Sequence, residues 1–82
     1  MTTVERLREM FAHDFDLPAA SLTPDATLES LGIDSLRMIE ILFAIEDAFK
    51  VTVRAEPAEL RTRLKTFGDL AVYVDELAAA SP

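Results

Sequence analysis

Leu31-Gly32-Ile33-Asp34-Ser35-Leu36 runs straight into Arg37-Met38-Ile39-Glu40-Ile41-Leu42-Phe43-Ala44-Ile45-Glu46-Asp47-Ala48-Phe49, a turn-forming loop giving way to an apolar helix. Met38, Ile41, Leu42, Ile45 and Phe49 recur at i, i+3, i+4, i+7 and i+11, the spacing of one helical face. Each such side chain is worth about 1.5–3 kcal/mol when buried, so this stripe belongs to a core. Leu36, Ile39 and Phe43 form a second apolar row on another face, flanked by Glu40 and Asp47. Two readings of that row stand side by side: a helix buried on several sides, or a greasy strip ringed by acid for docking. The small number of helices available to cover it favours docking for at least part of the row. Ser35 falls at the loop-to-helix junction, where a hydroxyl is reachable and the unpaired N–H groups of a helix start welcome a phosphate.

Three more helices are expected around this one. Thr2 and Glu5 form a capping-box pattern, and Val4, Leu7, Met10 and Phe11 follow at helical spacing. That pattern fades around Phe15 and closes at Leu17-Pro18, because a residue before proline is pushed out of helical geometry. The connection from Pro18 to Asp34 is long, with Pro18, Pro24, Asp25 and Gly32 as turn formers and Leu22, Leu28 and Leu31 as inward anchors. A loop of such length in so small a domain is functional or pinned by its own apolar residues. Val51-Thr52-Val53 reads as extended but too short and isolated to found a sheet. Pro57 opens a short helix ending near Arg61 or Arg63, with Leu60 and Leu64 inward. Thr66 caps the last helix, Asp69 sits in its first turn, and Phe67, Leu70, Ala71, Val74 and Leu77 give its apolar face before Ala78-Ala79-Ala80 fray into Ser81-Pro82. The expected fold is all-α: a small four-helix bundle with a long loop between helices 1 and 2 and a short third helix.

The 82 residues suffice for one domain, 1–82, and no second core. No cysteine is present, which removes disulfides, thiolate metal sites and thiol nucleophiles. With 50% hydrophobic residues the chain is too apolar for a disordered acidic tail. Its longest purely apolar run falls far short of a membrane span, so stable membrane insertion is not expected. Nor does the N-terminus read as a signal peptide, and a cytoplasmic protein is the default. The net charge is −7, distributed as −7 over residues 1–49, +3 over 50–65 and −3 over the rest. The acidic majority argues against nucleic acid and for partners with basic docking surfaces. Plain solubility explains the same charge equally well.

Self-contained catalysis has little to stand on. His13 is the sole histidine, on or just past the first helix, and reads as an ordinary polar-face residue. Gly32-Ile33-Asp34-Ser35 does not make a nucleophile elbow, and Asp14-Phe15-Asp16 lacks the further ligands and central glycine of a calcium loop. Glu46 and Asp47 are adjacent and point in different directions. No metal site and no enzyme are expected.

Leu31 to Leu36, followed by Glu40-Ile41 and Ala44-Ile45-Glu46-Asp47-Ala48-Phe49, resembles the phosphopantetheine attachment region of acyl carrier proteins. The likeness covers nearly the whole chain: its length, acidic balance, long first loop, short third helix, and Thr66 to Val74 with Tyr73. A bare Asp-Ser-Leu is weak evidence; the same tripeptide heading the second of four helices in a chain this size is strong. The resemblance implies that a phosphopantetheinyl transferase moves 4′-phosphopantetheine from coenzyme A onto Ser35, and that the arm's thiol then holds an acyl group as a thioester. It implies a role for Asp34 in the transferase complex, and a docking face of Leu36, Arg37, Ile39, Glu40, Phe43 and Asp47. The partners implied are enzymes that load, elongate and transfer acyl groups in fatty-acid, lipid or polyketide-type biosynthesis. A free-standing monomer is the simplest expectation.

Two features depart from the common pattern. Arg37 stands where fatty-acid carriers place an acid, and the third-helix region is net positive where theirs is often acidic. Arg37 either pairs with Glu40 at i+3 or lies one turn from the arm and helps hold its phosphate. Both readings alter partner recognition, which points to a specialised pathway. The alternatives are a peptidyl or aryl carrier, against which Ile33 stands where a second glycine is usual, and an unmodified helical adaptor.

Overall fold

The computed structural model describes residues 2–80, Pro57 by its backbone alone. Four α-helices make up the bundle: α1 (Thr3–Asp14), α2 (Ser35–Phe49), α3 (Pro57–Arg63) and α4 (Phe67–Ala80). Each starts where its local chemistry allows. The Thr2 hydroxyl accepts the Glu5 N–H (3.2 Å) and donates to the Glu5 carboxylate (3.1 Å), so the box closes through the hydroxyl itself. Asp34 caps α2 and Pro57 opens α3. At α4 the Thr66 hydroxyl accepts the Asp69 N–H, while the Asp69 carboxylate accepts the N–H groups of Lys65 (3.0 Å) and Thr66 (3.1 Å). Those two bonds hold the Asp69 carboxyl below its ordinary pKa.

The core follows the stripes. Leu7 and Phe11 of α1, Met38, Ile41, Leu42 and Ile45 of α2, Leu60 of α3, and Phe67, Leu70, Ala71 and Val74 of α4 are buried together. α2 packs on α3 and α4, and α1 on α4. Phe11 meets Phe67 edge-on at 5.2 Å between ring centroids, the favoured aromatic geometry. Arg6 ties α1 to the end of α2, donating to the Ala48 carbonyl (3.0 Å) and lying over the Phe49 ring (4.1 Å). Val51 is buried and the Val53 N–H bonds the Glu46 carboxylate (2.8 Å), so the expected extended segment packs down without forming a strand.

Several local expectations need correction. α1 ends at Asp14 with Phe15 as its C-cap, where the apolar pattern fades. The long connection holds a short 3-10 turn at Ala19–Ser21. Leu22 and Leu28 are buried as expected, whereas Leu31 is only half-buried and Ile33 takes the fully inward place. α4 extends through Ala80, and Ser81-Pro82 lie outside the described residues. Lys50 ends α2 in the left-handed region (φ 56°), a job usually given to glycine.

The long loop is stitched to the α3–α4 connection. Leu28 donates to the Lys65 carbonyl (2.9 Å), Phe67 to Ala26 (2.8 Å) and Gly68 to Pro24 (3.0 Å), with Thr27 and Thr66 as an isolated antiparallel bridge. A Cβ on Gly68 would stand 3.0 Å from the Pro24 carbonyl oxygen, so this close approach uses the missing side chain.

Thr66→Ala should cost about 1 kcal/mol, which in a domain of this size lowers the melting temperature by about 4–8 °C. Asp69→Ala should also destabilise at neutral pH, with a pH signature. Its folded pKa is depressed, so its contribution is complete above the ordinary carboxylate range and is lost as the pH falls through the lower folded value. Melting curves of the two proteins should therefore converge in acid; a gap that stays constant would contradict the assignment.

Candidate functional site

The approach to Ser35 is a chain of local bonds. Ser30 N–H reaches the Thr27 hydroxyl (3.0 Å), and Leu31, Gly32 and Ile33 N–H groups bond the carbonyls of Thr27, Glu29 and Leu28. Gly32 turns the chain at φ 78°, a region that costs an L-residue about 1–2 kcal/mol. Ile33 then plugs into the core, and the chain enters α2 at Asp34. The Asp34 carboxylate accepts the Arg37 N–H (2.8 Å) and its carbonyl accepts the Met38 N–H (2.9 Å). Ser35 is therefore the first helical residue, exposed, on a backbone fixed from both sides.

Arg61 of α3 donates from Nη1 to the Ser35 hydroxyl oxygen (3.1 Å). Nothing in the sequence singled out Arg61; it was one of several bases in an irregular segment, 26 residues away. Beside the pair lies a hollow of about 480 Å³, walled by the loop residues Thr27 to Glu29, by Ile33, and by Ala58, Arg61, Thr62, Leu64 and Lys65. Its lining mixes apolar and hydrogen-bonding groups. A reachable hydroxyl, a guanidinium on its oxygen and an adjoining hollow suit a serine-linked phosphodiester with an extended arm.

Other expected site residues separate onto two sides. Leu36 (68% exposed), Ile39 (37%) and Phe43 (66%) stand outward, with Glu40 and Asp47 exposed on the same flank. The core stripe of α2 faces the other way. Arg37 does not pair with Glu40 among the described residues: its guanidinium lies over the Phe15 ring (5.4 Å), and the cation on the Ser35 oxygen is Arg61. His13 is exposed on α1 and bonded to Asp14 (2.8 Å), whose hydrogen bond and charge raise its pKa. That pairing favours the imidazolium over a free base. No described helix is long and apolar enough to cross a membrane.

Comparison with known proteins agrees with the geometry. Residues 5–74 match the family model for the phosphopantetheine attachment site. An acyl carrier protein of Streptococcus pneumoniae is 35% identical over 78 residues, covering 95% of this chain and 99% of the relative. One from Helicobacter pylori is 30% identical over 77 residues, covering 93% and 95%. The fold is also that of an acyl carrier protein of Thermotoga maritima, with a TM-score of 0.76 at 18% identity over 93% of this chain and 86% of that one. The chain belongs to the acyl carrier protein family, whose members bear phosphopantetheine and carry acyl groups for enzymes without being enzymes themselves.

Proposed function

We propose that residues 1–82 act as one carrier domain whose phosphopantetheine is esterified to Ser35, and that the outward face of α2 presents the cargo to partner enzymes. The observation that carries the reading is the placing of Ser35: exposed, first in its helix, and touched by a cation. In the attachment reaction the Ser35 oxygen forms a bond to the phosphorus nearest the pantetheine of coenzyme A. Its proton passes to a base of the transferase, and adenosine 3′,5′-bisphosphate leaves with the electrons of the broken P–O bond. The domain supplies the nucleophile and the address; the thiol chemistry belongs to the arm. Tethering then keeps an intermediate at high local concentration before each docked enzyme.

Leu36, Ile39 and Phe43 support the docking reading because they cost little to leave exposed singly but form one row when aligned on a helix. Glu40 and Asp47 at its edge suit a basic surface around an apolar socket, met by the loading, elongating and transferring enzymes of acyl metabolism. Asp34 and Arg37 lie at the end of this face nearest Ser35, where a transferase would grip. Fatty-acid synthesis is the usual setting of the family; the positive segment 50–65 and Arg37 support a dedicated pathway in the cytoplasm, with partners whose surface is acidic opposite α3.

Incubation with coenzyme A and a broad-specificity phosphopantetheinyl transferase should add one phosphopantetheinyl group by intact mass, and Ser35→Ala should abolish the gain. An equal gain in the variant would move the attachment elsewhere, and no gain in either protein would favour an unmodified adaptor. Phe43→Ala should leave stability within about 0.5 kcal/mol of wild type while raising the KM of a partner enzyme for the carrier about tenfold, roughly 1.4 kcal/mol of docking energy. A generic fatty-acid ketosynthase should elongate the acyl form more slowly than it does its usual carrier; equal rates would remove the case for a dedicated pathway.

A further inference from the structure

The helix start at Ser35 does not by itself favour an anion. A helix N-terminus is equivalent to about half a positive charge, and the Asp34 carboxylate beside it carries a full negative one while already occupying the Arg37 N–H. A phosphodiester on the Ser35 oxygen would meet a field that this carboxylate has reversed, unless a cation stands close.

Two arginines lie near enough in the fold to be considered. Arg37 is turned over Phe15 (5.4 Å). Arg61 is on the serine oxygen itself (3.1 Å), which becomes the bridging oxygen of the ester. Its neighbour Arg63 is engaged with Glu59 (3.7 Å), and no ion pair joins Arg61 to an acid among the described residues. Lys65 and Glu29 line the same hollow with opposite charge. We propose, building on the reading that the arm is attached at Ser35, that Arg61 is a positioning residue. It holds the arm's phosphate by charge-assisted hydrogen bonds and fixes the root of the arm against α3, over the hollow. The planar fork of a guanidinium offers two N–H groups to two phosphate oxygens, which a lysine ammonium cannot reproduce in the same geometry. No bond is made or broken in this role.

The test uses apo and holo forms of wild type, R61K and R61Q, each checked by intact mass, with S35A as the attachment control. In the holo wild type the phosphorus NMR signal should lie away from its position in the denatured holo protein. It should move most of the way back in R61Q and part of the way in R61K, with apo R61Q melting as the apo wild type does. Independently of any holo variant, the Arg61 side-chain Nε–H signal of the wild type should shift on attachment more than those of Arg54 and Arg63. Coincident phosphorus signals in holo wild type and R61Q, or an Arg61 signal unchanged between apo and holo wild type, would overturn the role of Arg61 while leaving Ser35 as the attachment site. A mass gain that survives in S35A, or none in wild type, would overturn the attachment reading and this inference with it.

Discussion

The backbone stitch between residues 24–28 and 65–68 is the constraint on which the site depends. Three N–H···O=C bonds, two of which make the Thr27–Thr66 bridge, fasten a long loop to the α3–α4 connection. Bonds between backbone groups fix positions more closely than apolar contacts, which are non-directional. From the stitch the chain runs only seven residues to Ser35 along one route and four back to Arg61 along the other. The Leu28–Lys65 bond thus belongs to the path that sets the serine and to the path that sets the guanidinium. The 3.1 Å contact between them closes a ring whose other side is backbone. Gly68 lies outside that ring but belongs to the same stitch, since a side chain there would press on Pro24.

Helix starts and buried faces were legible in the sequence because they are encoded locally. Thr2 with Glu5, Pro57, and Thr66 with Asp69 each act within a turn, and the stripes of α1, α2 and α4 bury most of the residues their spacing selects, with Val4, Met10, Phe49 and Leu77 only partly buried at the core's edge. The site was legible only in half. Ser35 could be placed because Gly32 and Asp34 punctuate the chain beside it. Arg61 could not, because its meaning comes from a contact across 26 residues that periodicity does not record. Arg37 misled for the related reason that local spacing offered Glu40 as a partner, while the fold offered an aromatic ring from the end of α1. Ile33 looked like part of a motif and is also a core anchor. Lys50 gave no signal at all, since nothing in its side chain marks the left-handed backbone that precedes the buried Val51.

On the proposed docking role, the two faces of α2 divide stability from recognition. Met38, Ile41, Leu42 and Ile45 remove apolar area from water within the chain, and Leu36, Ile39 and Phe43 leave theirs available to a partner. Val72, the other large apolar side chain left exposed among the described residues, stands alone on α4 and forms no comparable row. This division lets a small domain change its docking surface without losing its core. The charges divide as well. Glu40 and Asp47 edge the apolar row, whereas Arg61 and Lys65 line the hollow on the other side of Ser35. A partner approaching the serine therefore meets both signs, and only one orientation satisfies both.

Asp34 carries two demands that pull against each other. As a cap it must place a carboxylate on the first free N–H groups of α2, which secures the helix and with it the backbone of Ser35. As the neighbour of the proposed attachment serine it puts negative charge where a phosphodiester would bring more. An asparagine cap would relieve the repulsion and keep the hydrogen bond, but would also remove an acid that a basic partner can read. With the acid retained, the opposing charge has to come from outside the helix, and a guanidinium from α3 meets that need without disturbing the cap. The short third helix is then more than packing, because its register fixes where the counter-charge stands. Holding α3 by Leu60 and Leu64 in the core is what makes that position reproducible.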